Sequence, residues 1–407
     1  MSYAVGTLSP EASTGNESYT GVGFTPDFII FTASLSVNAT NSNAGGGTMC
    51  GIAVSSSSRA VVGGSGTSGA GTSDEWGWSD SALPIKWQQT KATTRFAADL
   101  VTMDADGFTL NWTTAGAGGY ETVDITYQCF GGFDNVSLDQ FTSPTSAGTN
   151  TTITTGFEAD LLFIIGGFTV GTGAQTRDSQ SVSVGAGTST SSQWCINGLA
   201  EDGQGTSDTD TILRVDQICN NGYNTADFIK GHIHAITSTT YVIDWDAVWS
   251  GGSVYFWGLS VEGGTWDVGV DTVQTSAATK AHSTSNSPDA VFIGSTAVTS
   301  TNTYTADCQV GYGGDDATNS YSNSIVNQNA VGTTDFYRTG RVDSAAQITD
   351  NAGNDDFEGN VDSFNASDFT IDYTTADGAA NYIAFMALEN PATATTRRYG
   401  LSLLGVG

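Results

Sequence analysis

Residues 23–31 of the chain read GFTPDFIIF, and this stretch returns twice with nearly constant spacing. Residues 156–164 read GFEADLLFI, and residues 288–293 read PDAVFI. An Asp precedes the apolar run each time, and successive Asp residues are 133 and 129 positions apart. Self-similarity at a fixed period is the signature of a repeat architecture, so the chain is predicted to contain three copies of one unit.

A second repeated stretch alternates apolar and polar residues with the same period. Residues 108–112 read FTLNW, residues 241–245 read YVIDW and residues 369–373 read FTIDY. Alternation is typical of a strand with one face in a core, whereas continuous runs such as FIIF are typical of strands covered on both faces. Two further sets of residues match across the units: Phe96, Phe228 and Phe357, and the closing strands at 123–129, 255–261 and 382–388.

The segments between these anchors are rich in Gly, Ser, Thr, Asn and Asp, which marks them as loops. No amphipathic helix of three turns is evident. We therefore predict an all-β protein of three tandem antiparallel β-sandwich domains with a jelly-roll-like fold. The predicted units are 1–132, 133–264 and 265–390, followed by a C-terminal segment at 391–407. The linkers are short, so we expect fixed packing between units.

Charge excludes several classes of partner. The chain has 42 acidic and 12 basic residues, for a formal net charge of −30. Nucleic-acid phosphates and anionic bilayers both attract basic surfaces, so neither nucleic acid nor a membrane is an expected partner. Residues 1–13 lack the basic and apolar regions of a secretion signal, and we therefore expect assembly in a cytosol.

The excess of acidic groups also predicts a stability that depends on salt. Twelve basic groups cannot pair 42 acidic ones, and screening over a Debye length of about 3 Å at 1 M salt removes much of the repulsion. We expect the melting temperature to rise across a KCl series from dilute buffer to molar concentration. A midpoint that stays flat or falls would show that self-repulsion does not limit stability.

The repeat resembles one found in viruses. GFTPDFIIF, followed by DGFTLNW at 106–112 and closed by a strand such as NYIAFMAL at 381–388, resembles a β-sandwich repeat of structural and accessory proteins of tailed viruses. The resemblance implies a capsid decoration protein, fibre or tail appendage on the virion exterior, assembled in the host cytoplasm. The partners it implies are other virion proteins, in a homo-oligomer or lattice, and a host surface glycan. It implies no catalytic residue.

A second function class stays open, that of an exported or cell-surface carbohydrate-binding module. Trp76, Trp78 and Trp87 lie outside the repeated anchors, in DEWGWSDSALPIKW. Exposed rings in a loop of this kind could contact a glycan by stacking. Large aromatic side chains are more often found in a core or an interface, which is the competing interpretation.

Two groups of residues have side chains of the types that bind metals in other proteins. Acidic loops could supply oxygen ligands for Ca²⁺, the one cofactor we consider, although a solvated acidic loop is the alternative. The carboxylates concerned are Asp350, Asp355, Asp356 and Glu358, with Asp208 and Asp210 as a further pair. His232 and His234 are two positions apart in KGHIHAIT and would share one face of a strand. Surface or packing roles are favoured for this pair, whose predicted counterparts in unit one are Leu100 and Thr102.

No motif for catalysis is evident, and we predict that the protein is not an enzyme. The sequence contains neither a GxSxG elbow nor a glycine-rich phosphate loop placed between a strand and a helix. Cys129 is expected to be a buried small hydrophobe. Cys195 and Cys219 lie in one unit and could approach each other.

The last residues are a candidate docking segment. Residues 389–407 read ENPATATTRRYGLSLLGVG, a short linker followed by a basic pair and an apolar set. Such a segment suits an acidic, grooved partner and could add a strand to a sheet edge, whereas a frayed terminus is the alternative. The predicted docking residues are Arg397, Arg398, Tyr399, Leu401, Leu403 and Leu404.

Overall fold

A computed structural model of the chain describes residues 1–34, 46–67, 70–116, 124–171, 173–223, 226–332 and 336–389. The regular elements in these ranges are β-strands, which pair antiparallel. The described residues contain no helix that is long and apolar enough to cross a membrane.

The strands fall into three successive sets. The first set is β1 Ser2–Leu8, β2 Gly15–Thr20, β3 Phe28–Ser34, β4 Gly46–Ser55, β5 Ser58–Gly66, β6 Glu75–Asp80, β7 Ile85–Thr90, β8 Thr93–Asp104, β9 Gly107–Thr114 and β10 Ile125–Gly131. The second is β11 Asn135–Thr142, β12 Asn150–Thr154, β13 Leu161–Gly166, β14 Gln175–Asp178, β15 Gln180–Gly187, β16 Gln193–Ala200, β17 Thr209–Arg214, β18 Cys219–Tyr223, β19 Ala226–Ile236, β20 Thr240–Ala247 and β21 Tyr255–Glu262. The third is β22 Thr265–Thr272, β23 Ala278–Ser283, β24 Ala290–Thr296, β25 Thr305–Ala306, β26 Cys308–Asp315, β27 Ser320–Asn327, β28 Phe336–Val342, β29 Ala346–Thr349, β30 Asp355–Phe364, β31 Asp368–Thr375 and β32 Tyr382–Glu389.

Each set forms a sandwich of one large and one small sheet. In unit one the large sheet has the order β1-β10-β3-β4-β5-β6, and the small sheet has the order β2-β9-β8-β7. The matching orders are β11-β21-β13-β15-β16-β17 with β12-β20-β19-β18 in unit two, and β22-β32-β24-β26-β27-β28 with β23-β31-β30-β29 in unit three. The last strand of each unit returns between its first and third, a non-sequential connection of the kind that jelly rolls use. The predicted all-β class of three antiparallel sandwiches is confirmed.

The continuous apolar runs are covered on both faces, as their pattern predicts. Every residue of β3 is buried. Ile29 and Phe31 face the small sheet of their own sandwich. Phe28 and Ile30 face the opposite way, into a core to which all three large sheets contribute. The apolar run therefore serves two cores at once, one inside the unit and one between units.

The core between units brings each large sheet against the other two. The rings of Phe163 in unit two and Phe292 in unit three lie 5.4 Å apart between centroids. Gln128 Nε2 of unit one donates to the carbonyl oxygen of Gly313 in unit three at 3.2 Å. Strand β15 of unit two packs on β5 of unit one. The three sandwiches thus form one body around a shared apolar centre.

Units two and three each lend a strand to the unit before them. β14 pairs with β6 of unit one, from Gln175 opposite Ser79 to Asp178 opposite Trp76. β25 pairs with β17 of unit two through residues 305–306. Both lent strands cover the edge of a large sheet, where unpaired backbone groups would otherwise be open to other chains. The corresponding segment of unit one, residues 35–45, lies outside the described residues.

The repeated Asp fixes the passage from one unit to the next. Asp27 Oδ2 accepts a hydrogen bond from the backbone N–H of Phe133 at 2.9 Å, and Asp160 Oδ2 accepts one from Gly263 at 2.7 Å. Gly132 and Gly263 take φ values of 85° and 98°, a region that glycine adopts without steric cost. The motif that reveals the repeat therefore also holds the segment where one unit passes into the next.

Candidate functional site

The indole rings of Trp76, Trp78 and Trp87 do not lie in an exposed loop. Trp76 and Trp78 are on β6 and Trp87 is on β7, and none of the three is more than 2% exposed. Trp76 Nε1 donates to the carbonyl oxygen of Gln88 at 3.2 Å, and Trp78 Nε1 to that of Lys86 at 3.1 Å. The rings fill the core of the first sandwich. The prediction that they contact a glycan is therefore wrong, and the core interpretation holds.

The acidic loop of unit three does not converge on one cation position. Asp350 accepts hydrogen bonds from the backbone N–H groups of residues 352 and 354, and Asp356 Oδ2 accepts one from Gln309 Nε2 at 3.0 Å. Asp355 and Glu358 both face Arg341. Asp350 and Asp356 are thus satisfied by separate protein groups, while Asp355 and Glu358 share Arg341, so this geometry does not support the Ca²⁺ prediction.

His232, His234 and Asp244 do converge. Their three candidate ligand atoms all lie within 4.8 Å of one another, and no other group of three or more His, Cys, Asp or Glu side chains in the described part of the chain does so. His232 lies opposite Asp244 in the ladder between β19 and β20. Asp244 Oδ1 accepts from the backbone N–H of Trp245 at 2.9 Å, while Oδ2 lies 4.0 Å from His232 Nε2.

A second carboxylate holds the His232 ring from behind. His232 Nδ1 and Asp246 Oδ2 are 3.0 Å apart, and Gln217 Nε2 donates to the same oxygen at 2.9 Å. Partial burial alone would raise the pKa of Asp246, but these two hydrogen bonds, with the charges of His232 and Lys230, lower it below its ordinary value. Since a carboxylate only accepts, the Nδ1 proton of His232 is directed at Asp246, and Nε2 faces Asp244.

A β-bulge places His234 in this cluster. The ladder between β19 and β20 shifts register between Ile233 and Ala235, so His234 is the inserted residue, and the equivalent shifts recur in units one and three. The register makes Asp99 and Val101 the unit-one counterparts of the histidine pair, which corrects the predicted Leu100 and Thr102 by one position. By the same register, Ile229 and not Phe228 matches Phe96 and Phe357.

Another feature of unit two is an aromatic-lined cavity of about 350 Å³. Phe168, Phe228 and Trp249 line it together with Arg177. The Arg177 guanidinium carbon lies 4.4 Å from the centroid of the Phe168 ring and 4.7 Å from that of Trp249. A cation over an aromatic face is an attractive arrangement, so both rings already have a stacking partner within the chain.

Buried carboxylates collect where the units meet. Glu75 on β6 accepts a hydrogen bond from Asn327 of unit three at 3.1 Å, and its Oε2 has no hydrogen-bond partner among the described residues. Burial raises its pKa well above the ordinary value. Burial, with the charges of neighbouring acids, raises the pKa of Asp210 to about 7. Burial likewise raises the pKa of Asp315 to about 6, against hydrogen bonds that lower it.

These groups predict that stability falls as the pH rises from about 4 to 7. In that range the folded protein keeps protons on Asp210 and Asp315 that the unfolded chain has released near the ordinary pKa of 3.8, so deprotonation destabilises the folded state. Below about pH 4 the trend reverses, because hydrogen bonds from His282 and Lys280 outweigh burial and hold the pKa of Asp271 at about 2.

Thermal melts at constant ionic strength measure this slope. Asp210→Asn should flatten it and raise the melting temperature at neutral pH, because the uncharged amide needs no proton. Asp362→Asn, at an exposed position, is the control and should leave the slope unchanged. A midpoint that rises steadily between these pH values would contradict the prediction.

The five cysteines, Cys50, Cys129, Cys195, Cys219 and Cys308, are all buried free thiols. Cys129 packs in the first sandwich core as a small hydrophobe, as predicted. Burial raises the pKa of Cys219 well above its ordinary value, so its thiol stays protonated and unreactive at neutral pH.

The predicted docking residues of the C-terminal segment, Arg397 to Leu404, lie outside the described residues.

Sequence reasoning missed Asp244 and Asp246 as partners of the histidines. A signal for them was present in YVIDWD, where the acids alternate with the core residues and therefore lie on the outer face of the strand.

No protein-family model and no curated protein matches the chain.

Proposed function

We propose that this chain is a structural protein on the exterior of a tailed-virus particle, as a capsid decoration, fibre or tail appendage. The observation that carries the proposal is the assembly of three sandwiches into one body, with a shared core and two lent strands. A body of this kind has few independently moving parts, which suits a load-bearing position on a particle surface better than substrate turnover.

The charge of the chain supports the exterior position. A net charge of −30 repels packaged nucleic acid and keeps an exposed surface soluble. The resemblance of the repeat motifs to virion proteins adds an independent argument. Assembly in the host cytoplasm, self-association into an oligomer or lattice, and contact with a host surface glycan belong to the same proposal.

Purified particles provide the test. Mass spectrometry should find the protein at a fixed stoichiometry to the major capsid protein, and antibodies should label intact particles. Labelling only after disruption would overturn the exterior position. Absence from particles that carry all other structural proteins would overturn the function itself.

Deletion of residues 391–407 is expected to leave the melting temperature nearly unchanged and to abolish incorporation into particles. Leu388 on β32 is the last residue of the shared core, so the deletion removes no described core side chain. The basic pair and apolar residues that it removes are those predicted to dock on an acidic partner.

The matched control is the double substitution Arg397→Ala and Arg398→Ala, which keeps the length and the apolar residues. It should weaken incorporation less than the deletion does. A truncated protein that reaches full occupancy on particles would show that the segment is no anchor.

The second candidate function is an exported or cell-surface carbohydrate-binding module, and the aromatic cavity of unit two is the observation in its favour. It ranks second because Arg177 covers two of the ring faces that a sugar would use. A glycan array together with the analysis of purified particles distinguishes the two functions. Selective binding that Trp249→Ala removes, in a protein that is absent from particles, would favour the module, whereas presence in particles would favour the virion proposal.

A further inference from the structure

We propose that His232, His234 and Asp244 form a binding site for one Zn²⁺-class transition-metal ion on the outer face of the small sheet of unit two. The two imidazoles and one carboxylate would supply three ligands, and water would complete a tetrahedral set. This site is independent of the virion proposal, since it depends only on side chains within one sandwich.

The spacing of the ligand atoms fits this use. Ligands bound at about 2.0–2.1 Å to a tetrahedral ion lie roughly 3.3 Å from one another. His232 Nε2 and Asp244 Oδ2 are 4.0 Å apart, and all three ligand atoms lie within 4.8 Å. His234 is exposed, so its ring can close the remaining distance by rotation without disturbing the core.

The surroundings of His232 prepare it for a metal. A ligating histidine generally donates its other ring N–H to a carboxylate, which fixes the ring and increases its basicity. Asp246 takes that position at 3.0 Å and is itself held by Gln217 at 2.9 Å. Asp244 has one oxygen engaged by the backbone of Trp245, which leaves the other directed at the histidine.

The ligand types select the metal. Imidazole nitrogen is a good ligand for Zn²⁺, Cu²⁺ and Ni²⁺, whereas Ca²⁺ and Mg²⁺ take oxygen. Asp244 and Asp246 supply two negative charges at the site, which balance the two positive charges of a divalent ion, and Lys230 lies nearby as one further positive charge. The acidic loops of the same chain, which offer carboxylates without imidazole, should therefore not compete for this class of ion.

The sandwich does not need these residues to fold. At the positions of His232, units one and three have Asp99 and Asn360, which contact Arg59 and Ser320 of their own large sheets. His232 instead contacts the two acids of the neighbouring strand. The bulge and the strand pairing are the same in all three units, so the convergence of metal-ligand side chains is particular to unit two.

Calorimetric titration of the full chain with ZnCl₂, in the presence of excess CaCl₂, tests the proposal. We expect one saturable Zn²⁺ site per chain and, with Co²⁺, the visible absorption of a tetrahedral complex. The double substitution His232→Ala and His234→Ala should abolish both signals. Asp246→Asn should lower the affinity about 10–100-fold.

The matched control changes the unit-three counterparts of His234 and Asp244, as Asp362→Ala with Asp372→Ala, and should leave Zn²⁺ binding intact. His234→Ala alone decides the result if the double variant does not fold, because that side chain is exposed. Saturable binding that survives loss of both histidines, or the absence of saturable binding in the unaltered chain, would overturn the proposal.

Discussion

A protein that consists of residues 133–264 alone is expected to self-associate or aggregate. Unit two has its own sandwich core, but the opposite face of its large sheet is covered only by units one and three. Phe163, Ile165, Val184 and Trp194 are all buried in that shared core and would be exposed in the isolated unit. Contiguous apolar patches larger than a few hundred Å² generally lead to association.

Size-exclusion chromatography with light scattering measures this outcome. The full chain is the control, since its large sheets cover one another, and we expect it to show one cooperative unfolding transition. A second fragment in which Phe163 and Ile165 are replaced by Ser should associate less than the unaltered fragment. A monodisperse, cooperatively melting monomer of unaltered unit two would contradict the importance of the shared core.

The substitution Trp194→Ala is expected to destabilise the full chain by about 3–5 kcal/mol, the usual loss for a large aromatic side chain removed from a core. Trp194 lies on β16 and is fully buried in the shared core. Its Nε1 donates to the carbonyl oxygen of Phe385 in unit three at 2.8 Å. The substitution therefore leaves a cavity and removes a hydrogen bond at the contact between two units.

Denaturant unfolding followed by circular dichroism measures this change. Trp194→Phe should recover part of the loss, since it restores the ring but not the hydrogen bond. Val342→Ala, at a side chain that is 60% exposed, should change the free energy of unfolding by less than about 0.5 kcal/mol. A loss for Trp194→Ala as small as that of Val342→Ala would contradict the prediction.

Repeats and strands could be predicted because their signals are local in the chain. Alternation in residues 108–112, 241–245 and 369–373 marks half-buried strands, and the ladders of β9, β20 and β31 match these stretches across the units. Continuous apolar runs likewise predicted strands covered on both faces. The same local reasoning misplaced the tryptophans, because EWGWSD has no sequence match in β17 or β28, its structural counterparts, and a stretch outside the repeated anchors was assigned to a loop.

The candidate metal site also combines a feature that the local sequence predicts with features that depend on strand pairing. Two histidines two positions apart were predicted to share a strand face, and this depends only on the chain's own periodicity. Asp244 and Asp246 lie beside His232 because β19 pairs with β20, and His234 is the inserted residue of a bulge that shifts the register by one residue. A shift of that kind leaves no mark in composition or spacing, because it depends on which residue of the partner strand lies opposite.

The sequence was sufficient to establish three copies of an all-β unit, since buried and exposed side chains alternate with a period that can be read from the residues of each strand. Tertiary structure decided what covers the second face of β3, β13 and β24, and which edges β14 and β25 complete. An apolar sequence pattern shows only that a face is removed from water, and the hydrophobic free energy gained by this removal is non-directional. A sheet of the same sandwich and a neighbouring sandwich can cover the face equally well, so only the packed chain distinguishes the two.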